Sequence, residues 1–197
     1  MLNLSMPNLS KTQQYAIGLG LILLMTATRG HHFASIEALP SASWAVFFLA
    51  GMLLRPAWVF PLLFLQAVAL DVVSLGGFTE AAKHHCVSPA YALLLPAYAS
   101  LWFGGRRYAR IHRDSWLTLA PLVAILLAGA FVSNLFSSGG YYYFSGVYAE
   151  PTLAGLWDRI ALYLPDRLLT LFGYVAVVGG TVQLWLLGSR RQAGARA

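Results

Sequence analysis

Charge and cysteine are what this chain has little of. Of its 197 residues only 10% are Asp, Glu, Lys or Arg, against about a quarter in a soluble domain, so a core wrapped in a wetted polar surface is excluded. The single cysteine, Cys86, excludes an intramolecular disulfide and a Cys-x-x-Cys redox pair. Acid is scarcer than base, with seven Asp+Glu against thirteen Lys+Arg and a formal charge of +6. No Gly-rich phosphate loop, HExxH or G-x-S-x-G motif occurs, which argues against ATP hydrolysis by the chain itself. Long soluble segments, low-complexity tracts and sustained repeats are also missing.

What is present is apolar: 58% hydrophobic residues, 14% aromatic and a mean hydropathy of +0.65. Such a chain has lipid as its main solvent. In that setting a basic surplus records membrane orientation rather than nucleic-acid binding. Apolar stretches cover 15–28, 38–54, 57–75, 89–103, 116–136 and 168–187, and they predict an all-α integral membrane protein of six transmembrane helices, some short or tilted. One compact domain, 1–197, is expected. The first stretch reads as a retained span, because Lys11 is the only positive charge before it and no convincing small-residue cleavage site follows.

Arg55-Pro56 sets the count. One helix through both would place Arg55 near the bilayer centre, at about 2.5–3.5 kcal/mol on insertion scales, with Pro56 in its interior. A hairpin is cheaper. Six spans with an inside N-terminus then put nine of the basic residues (Lys11, Arg55, Arg106, Arg107, Arg110, Arg113, Arg190, Arg191 and Arg196) in the cytoplasm. Four, Arg29, Lys83, Arg159 and Arg167, fall outside. Both termini are therefore expected in the cytoplasm. The Gly-Gly pairs at 76, 104, 139 and 179 read as span ends or loosened helix, and Ala16 with Gly20, or Gly129 with Ser133, as places of close helix approach.

Under that topology the outer loops are 29–37, 76–88 and 137–167, and they hold His31, His32, His84, His85 and Cys86. Imidazole and thiolate bind transition metals, so the grouping suggests an outward metal or metal-cofactor site, with chance accumulation as the rival explanation. Ser88-Pro89 reads as the start of the fourth helix. Cys86 then sits before a helix N-terminus, close to Lys83 and two histidines, where the thiolate is favoured. A small apolar cysteine packed at a helix end is the alternative. Tyr91 lies in the first turn and leans back toward that loop, or anchors at the interface.

Asp71 is an ionisable residue inside the third span. It either accepts hydrogen bonds from a ligand, holds Arg159, or pairs internally with a histidine or arginine. Asn134 offers a similar contact or bridges two helices. The segment 137–166 carries Tyr141, Tyr142, Tyr143, Tyr148, Trp157 and Arg159; it reads as an interfacial aromatic girdle or as a lid over a large flat ligand, with Arg159 reaching an amide or phosphate oxygen. His112 belongs to the cytoplasmic basic run.

Small size, six spans, Thr28-Arg29-Gly30-His31-His32-Phe33, Leu70-Asp71 and His85-Cys86-Val87-Ser88-Pro89-Ala90-Tyr91 together resemble the BtuM family, whose members are similar to the substrate-binding S-components of energy-coupling-factor (ECF) transporters and take up vitamin B12. The resemblance spans essentially the whole chain, and its specificity rests chiefly on the cysteine segment. It implies an S-component-like bundle in the bacterial inner membrane, with cobalamin as ligand and Cys86 as the upper axial ligand of its cobalt. It further implies thiolate-assisted removal of cyanide from cyanocobalamin, His32, Asp71, Tyr91 and Arg159 as pocket residues, and an ECF coupling subunit with ATPases as a partner. Three other classes stay open on the residues alone: a permease for a first-row metal ion using the outward His and Cys side chains, a membrane thiol enzyme, and a structural subunit without a ligand.

Overall fold

The computed structural model describes residues 9–32, 34–36, 38–81, 89–112 and 116–194, and over these the chain is helical with no strand. Helix α1, Lys11–Thr28, starts four residues before the apolar stretch because Ser10 caps it. The Ser10 hydroxyl accepts from the Gln13 amide at 3.2 Å, and the Gln13 side chain accepts from the Ser10 amide at 2.9 Å. The helix ends at Arg29, and Gly30 turns the chain with φ +71°.

Helix α2, Ser43–Leu53, is the axle of the bundle: of its eleven residues all but Met52 are buried. It is shorter than the apolar stretch around it because Pro40 and Ser41 hold the preceding chain out of helix. The backbone leaves helix at Leu54 and resumes as α3, Val59–Ser74, so Arg55-Pro56 breaks the chain as its chemistry requires. Gly76 and Gly77, at φ +86° and +102°, close α3 and lead into the single turn α4, Phe78–Ala81.

A 3-10 turn at Pro89–Leu93 opens α5, Leu94–Ile111. Gly104 and Gly105 are interior to this helix rather than at its end. Gly51 and Gly105 let α2 and α5 meet backbone to backbone: a Cβ on Gly51 would collide with the Trp102 carbonyl, and one on Gly105 with the Phe48 carbonyl. Phe47 stacks on Tyr98 across the same seam at 4.4 Å.

Helix α6, Leu119–Asn134, passes into a π turn at Leu135–Gly139 and then the short α7, Gly140–Phe144. Gly129 packs on Leu101, and Ser100 donates to the Gly129 carbonyl at 3.3 Å, tying α6 to α5. Helix α8, Leu153–Gly194, runs 42 residues with Pro165 inside it. It starts fifteen residues before the apolar stretch at 168, so most of the expected outer segment is helix rather than loop. Asp158, Arg159, Asp166 and Arg167 lower the hydropathy there but do not stop a helix.

The long helices α1, α2, α3, α5, α6 and α8 alternate in direction along the chain. The α1 terminus meets the start of α2 through the Ala42 amide on Thr28 Oγ1 at 3.1 Å. At the opposite end the Arg55 amide bonds Gln14 and the Arg106 guanidinium bonds the Arg55 carbonyl. The bundle thus has an Arg29 end and an Arg55 end. Two stretches, Leu119–Phe144 and Leu153–Leu186, are long and apolar enough to cross a membrane. Large apolar side chains such as Leu23, Leu65, Leu169, Val177 and Leu184 stand exposed on the outside.

Candidate functional site

At the Arg29 end the close of α1 delivers a guanidinium into the bundle. Arg29 is buried, and its Nε and Nη2 donate to the two carboxylate oxygens of Asp71 at 2.8 and 2.7 Å. Its Nη1 donates to Ser43 Oγ at 2.8 Å and to the Tyr98 hydroxyl at 2.7 Å. Tyr91, in the 3-10 turn, donates its hydroxyl to Asp71 Oδ2 at 2.7 Å. One ion pair therefore fastens the ends of α1 and α3 to the starts of α2 and α5. Burial by itself would lower the basicity of Arg29; the neighbouring Tyr98 and the Asp71 carboxylate outweigh it, and its pKa lies above the ordinary arginine value.

Next to this cluster, between α2, α3, α5 and α8, lies a cavity of about 530 Å³ reached by Arg29, Asp71, Tyr98, Tyr163, Asp166 and Arg167. A second cavity of about 280 Å³ adjoins it toward the π turn and shares Trp44, Tyr98, Tyr163 and Arg167 with it. The two form one trough with aromatic walls and charged rims, on the scale of sites for organic ligands. Arg159 stands in the second part. Its Nη1 donates to the Tyr148 hydroxyl at 2.6 Å, and its guanidinium lies 4.8–5.6 Å from the rings of Tyr142, Tyr148 and Tyr163.

The structure brings Asp71 and Tyr91 into contact and sets Arg159 farther along the trough. Asp71 pairs internally with an arginine, and that partner is Arg29 rather than Arg159. His32 lies in a tight turn: its Nδ1 accepts from the Ala34 amide at 3.2 Å, and its backbone bonds the Ser35 hydroxyl in both directions. It lines neither part of the trough. Asn134 is fully buried and accepts from Ser138 at 2.6 Å, which braces the π turn. His112 meets the Tyr108 hydroxyl near the Arg55 end. Cys86, with Lys83, His84, His85 and Ser88, lies outside the described residues. Among the described residues no group of three His, Cys, Asp or Glu is placed to hold a metal ion.

Sequence reasoning missed Arg29, Ser43, Tyr98, Ser137 and Arg167. A signal for the first existed. Asp71 lies about a turn from the end of the third span, and Arg29 directly follows the first, which runs in the same direction, so the two reach one level of the bundle. No protein-family model and no curated protein matches the sequence.

Proposed function

We propose that this chain is a cobalamin-binding uptake protein of the bacterial inner membrane, a member of the BtuM family with six membrane-crossing helices, cytoplasmic termini and its Arg29 end outward. The observation that carries the reading is the trough at that end. It is aromatic-walled and rimmed by charge, which suits a ring bearing amide side chains, while the outside of the bundle is apolar, which suits lipid. The anchors of the cysteine segment, Ala81 and Pro89, both belong to this end of the fold.

In this reading the Cys86 thiolate is the upper axial ligand of the substrate's cobalt. With cyanocobalamin the sulfur donates an electron pair to cobalt(III) and a Co–S bond forms. The Co–C bond breaks, cyanide leaves with its electron pair and takes a proton from solvent, and the cobalt oxidation state is unchanged. Arg159 reaches an oxygen of the substrate, and Asp71 with Tyr91 holds the wall from which the cysteine segment returns to helix; His32, which lines neither part of the trough, is assigned no contact. An ECF coupling subunit with two ATPases supplies the energy in this scheme, since the chain carries no nucleotide motif of its own.

Purified protein mixed with hydroxocobalamin is expected to show a shifted visible spectrum typical of a cobalt–thiolate bond, absent in Cys86→Ala. An identical spectrum and affinity in that variant would refute the ligand role.

A further inference from the structure

Two arginines, Arg159 and Arg167, line the smaller part of the trough together with Ser137. The Ser137 Oγ and Arg159 Nε atoms are buried, and neither has a hydrogen-bond partner. Arg159 is braced only by tyrosines, and Arg167 lies over the Trp44 ring at 5.4 Å. Among the described residues neither arginine has a carboxylate within ion-pair distance, although Asp166 lines the larger cavity beside Arg167. Arg159, Arg167 and Ser137 thus line one space of about 280 Å³, with neither guanidinium ion-paired.

Two guanidiniums lining one cavity with no carboxylate at ion-pair distance suit an acceptor-rich, negatively charged guest. The backbone agrees: Ser137 lies in the π turn Leu135–Gly139, a distortion of helix frequent at functional sites.

We infer that this cavity is an anion subsite for a phosphodiester, with Arg159 and Arg167 facing its charge and Ser137 donating to one of its oxygens. The inference rests on the cobalamin reading for its preferred ligand, whose nucleotide loop carries one phosphodiester; a phospholipid headgroup carries the same chemistry.

The full chain in detergent micelles is titrated with hydroxocobalamin and with cobinamide, which keeps the corrin ring and cobalt but lacks the nucleotide loop. Cobalamin is expected to bind about tenfold more tightly, the scale of one charge-assisted hydrogen bond. Ser137→Ala, in the smaller part alone, should close most of that gap while leaving cobinamide affinity intact, which also shows that the variant folds; Arg167→Gln, which lines both parts, should narrow the ratio of the two affinities whatever its effect on cobinamide. Equal weakening of both corrinoids, or an unchanged gap, overturns the subsite.

If the wild type binds neither corrinoid, the uptake reading fails separately, and a corrinoid-free arm decides the subsite. Phenylglyoxal modification of Arg167 is followed by mass spectrometry with and without inorganic phosphate, and in phosphatidylglycerol nanodiscs in place of detergent. Protection by phosphate supports a site for a soluble anion, and protection by phosphatidylglycerol alone assigns it to a lipid headgroup. Protection by neither at matched ionic strength means that ordered water meets the donors, and the inference falls.

Discussion

Arg29 and Asp71 illustrate how a buried charge becomes structural. Removing water from two ions costs several kcal/mol each, and the bidentate geometry with Ser43, Tyr91 and Tyr98 recovers it only while both partners are present. Asp71→Asn or Arg29→Gln should therefore destabilise the protein by about 3–5 kcal/mol, seen as a marked drop in Tm in detergent. The pair Arg29→Met with Asp71→Leu should lose much less than the two single losses added together, and a double-mutant cycle measures that coupling. A full loss in the double variant would show that the side chains act independently. At this scale the sequence identified Asp71 as a residue needing a partner but left three partners open, because the choice depends on helix ends meeting at one depth. Ser137 and Arg167 gave no sequence signal at all, since their significance lies in what does not surround them.

Among the elements, α2 and α5 are joined by the two glycines at positions 51 and 105. Gly105→Leu has no room to adjust, because the opposing atom is a backbone carbonyl, and it should cost several kcal/mol and reduce the yield of monodisperse protein. Gly20→Leu, with nothing within 4 Å of its Cβ, should be close to neutral in the same assay. The breaks at Arg55-Pro56 and Gly76-Gly77 were legible, because proline and left-handed glycine act locally. The glycine seam was not, because a chain with 18 glycines offers many pairs, and which ones face each other is settled only by packing. The start of α8 was hidden for a related reason: hydropathy marks where lipid ends, not where helix ends.

The whole molecule presents two faces of different chemistry. The Arg55 end gathers Lys11, Arg55 and Arg106, and the Arg29 end holds the trough. With the proposed topology an impermeant maleimide added to intact spheroplasts should label Cys86, whereas a cysteine placed at Lys11 in a Cys86→Ala background should react only after lysis; the reverse pattern would invert the orientation. At 1.5 Å per residue α8 is about 60 Å long, roughly twice the thickness of a bilayer's hydrocarbon core.

Pro165 interrupts that long helix between the two arginines of the trough. Lacking an amide proton, it leaves the Ala161 carbonyl without its helical donor, so the rod is most compliant within one turn of a point that has Arg159 on one side and Arg167 on the other. The jaws of the cavity are thus mounted on opposite arms of a calliper. A change of bend at that point would alter the spacing of the two guanidiniums.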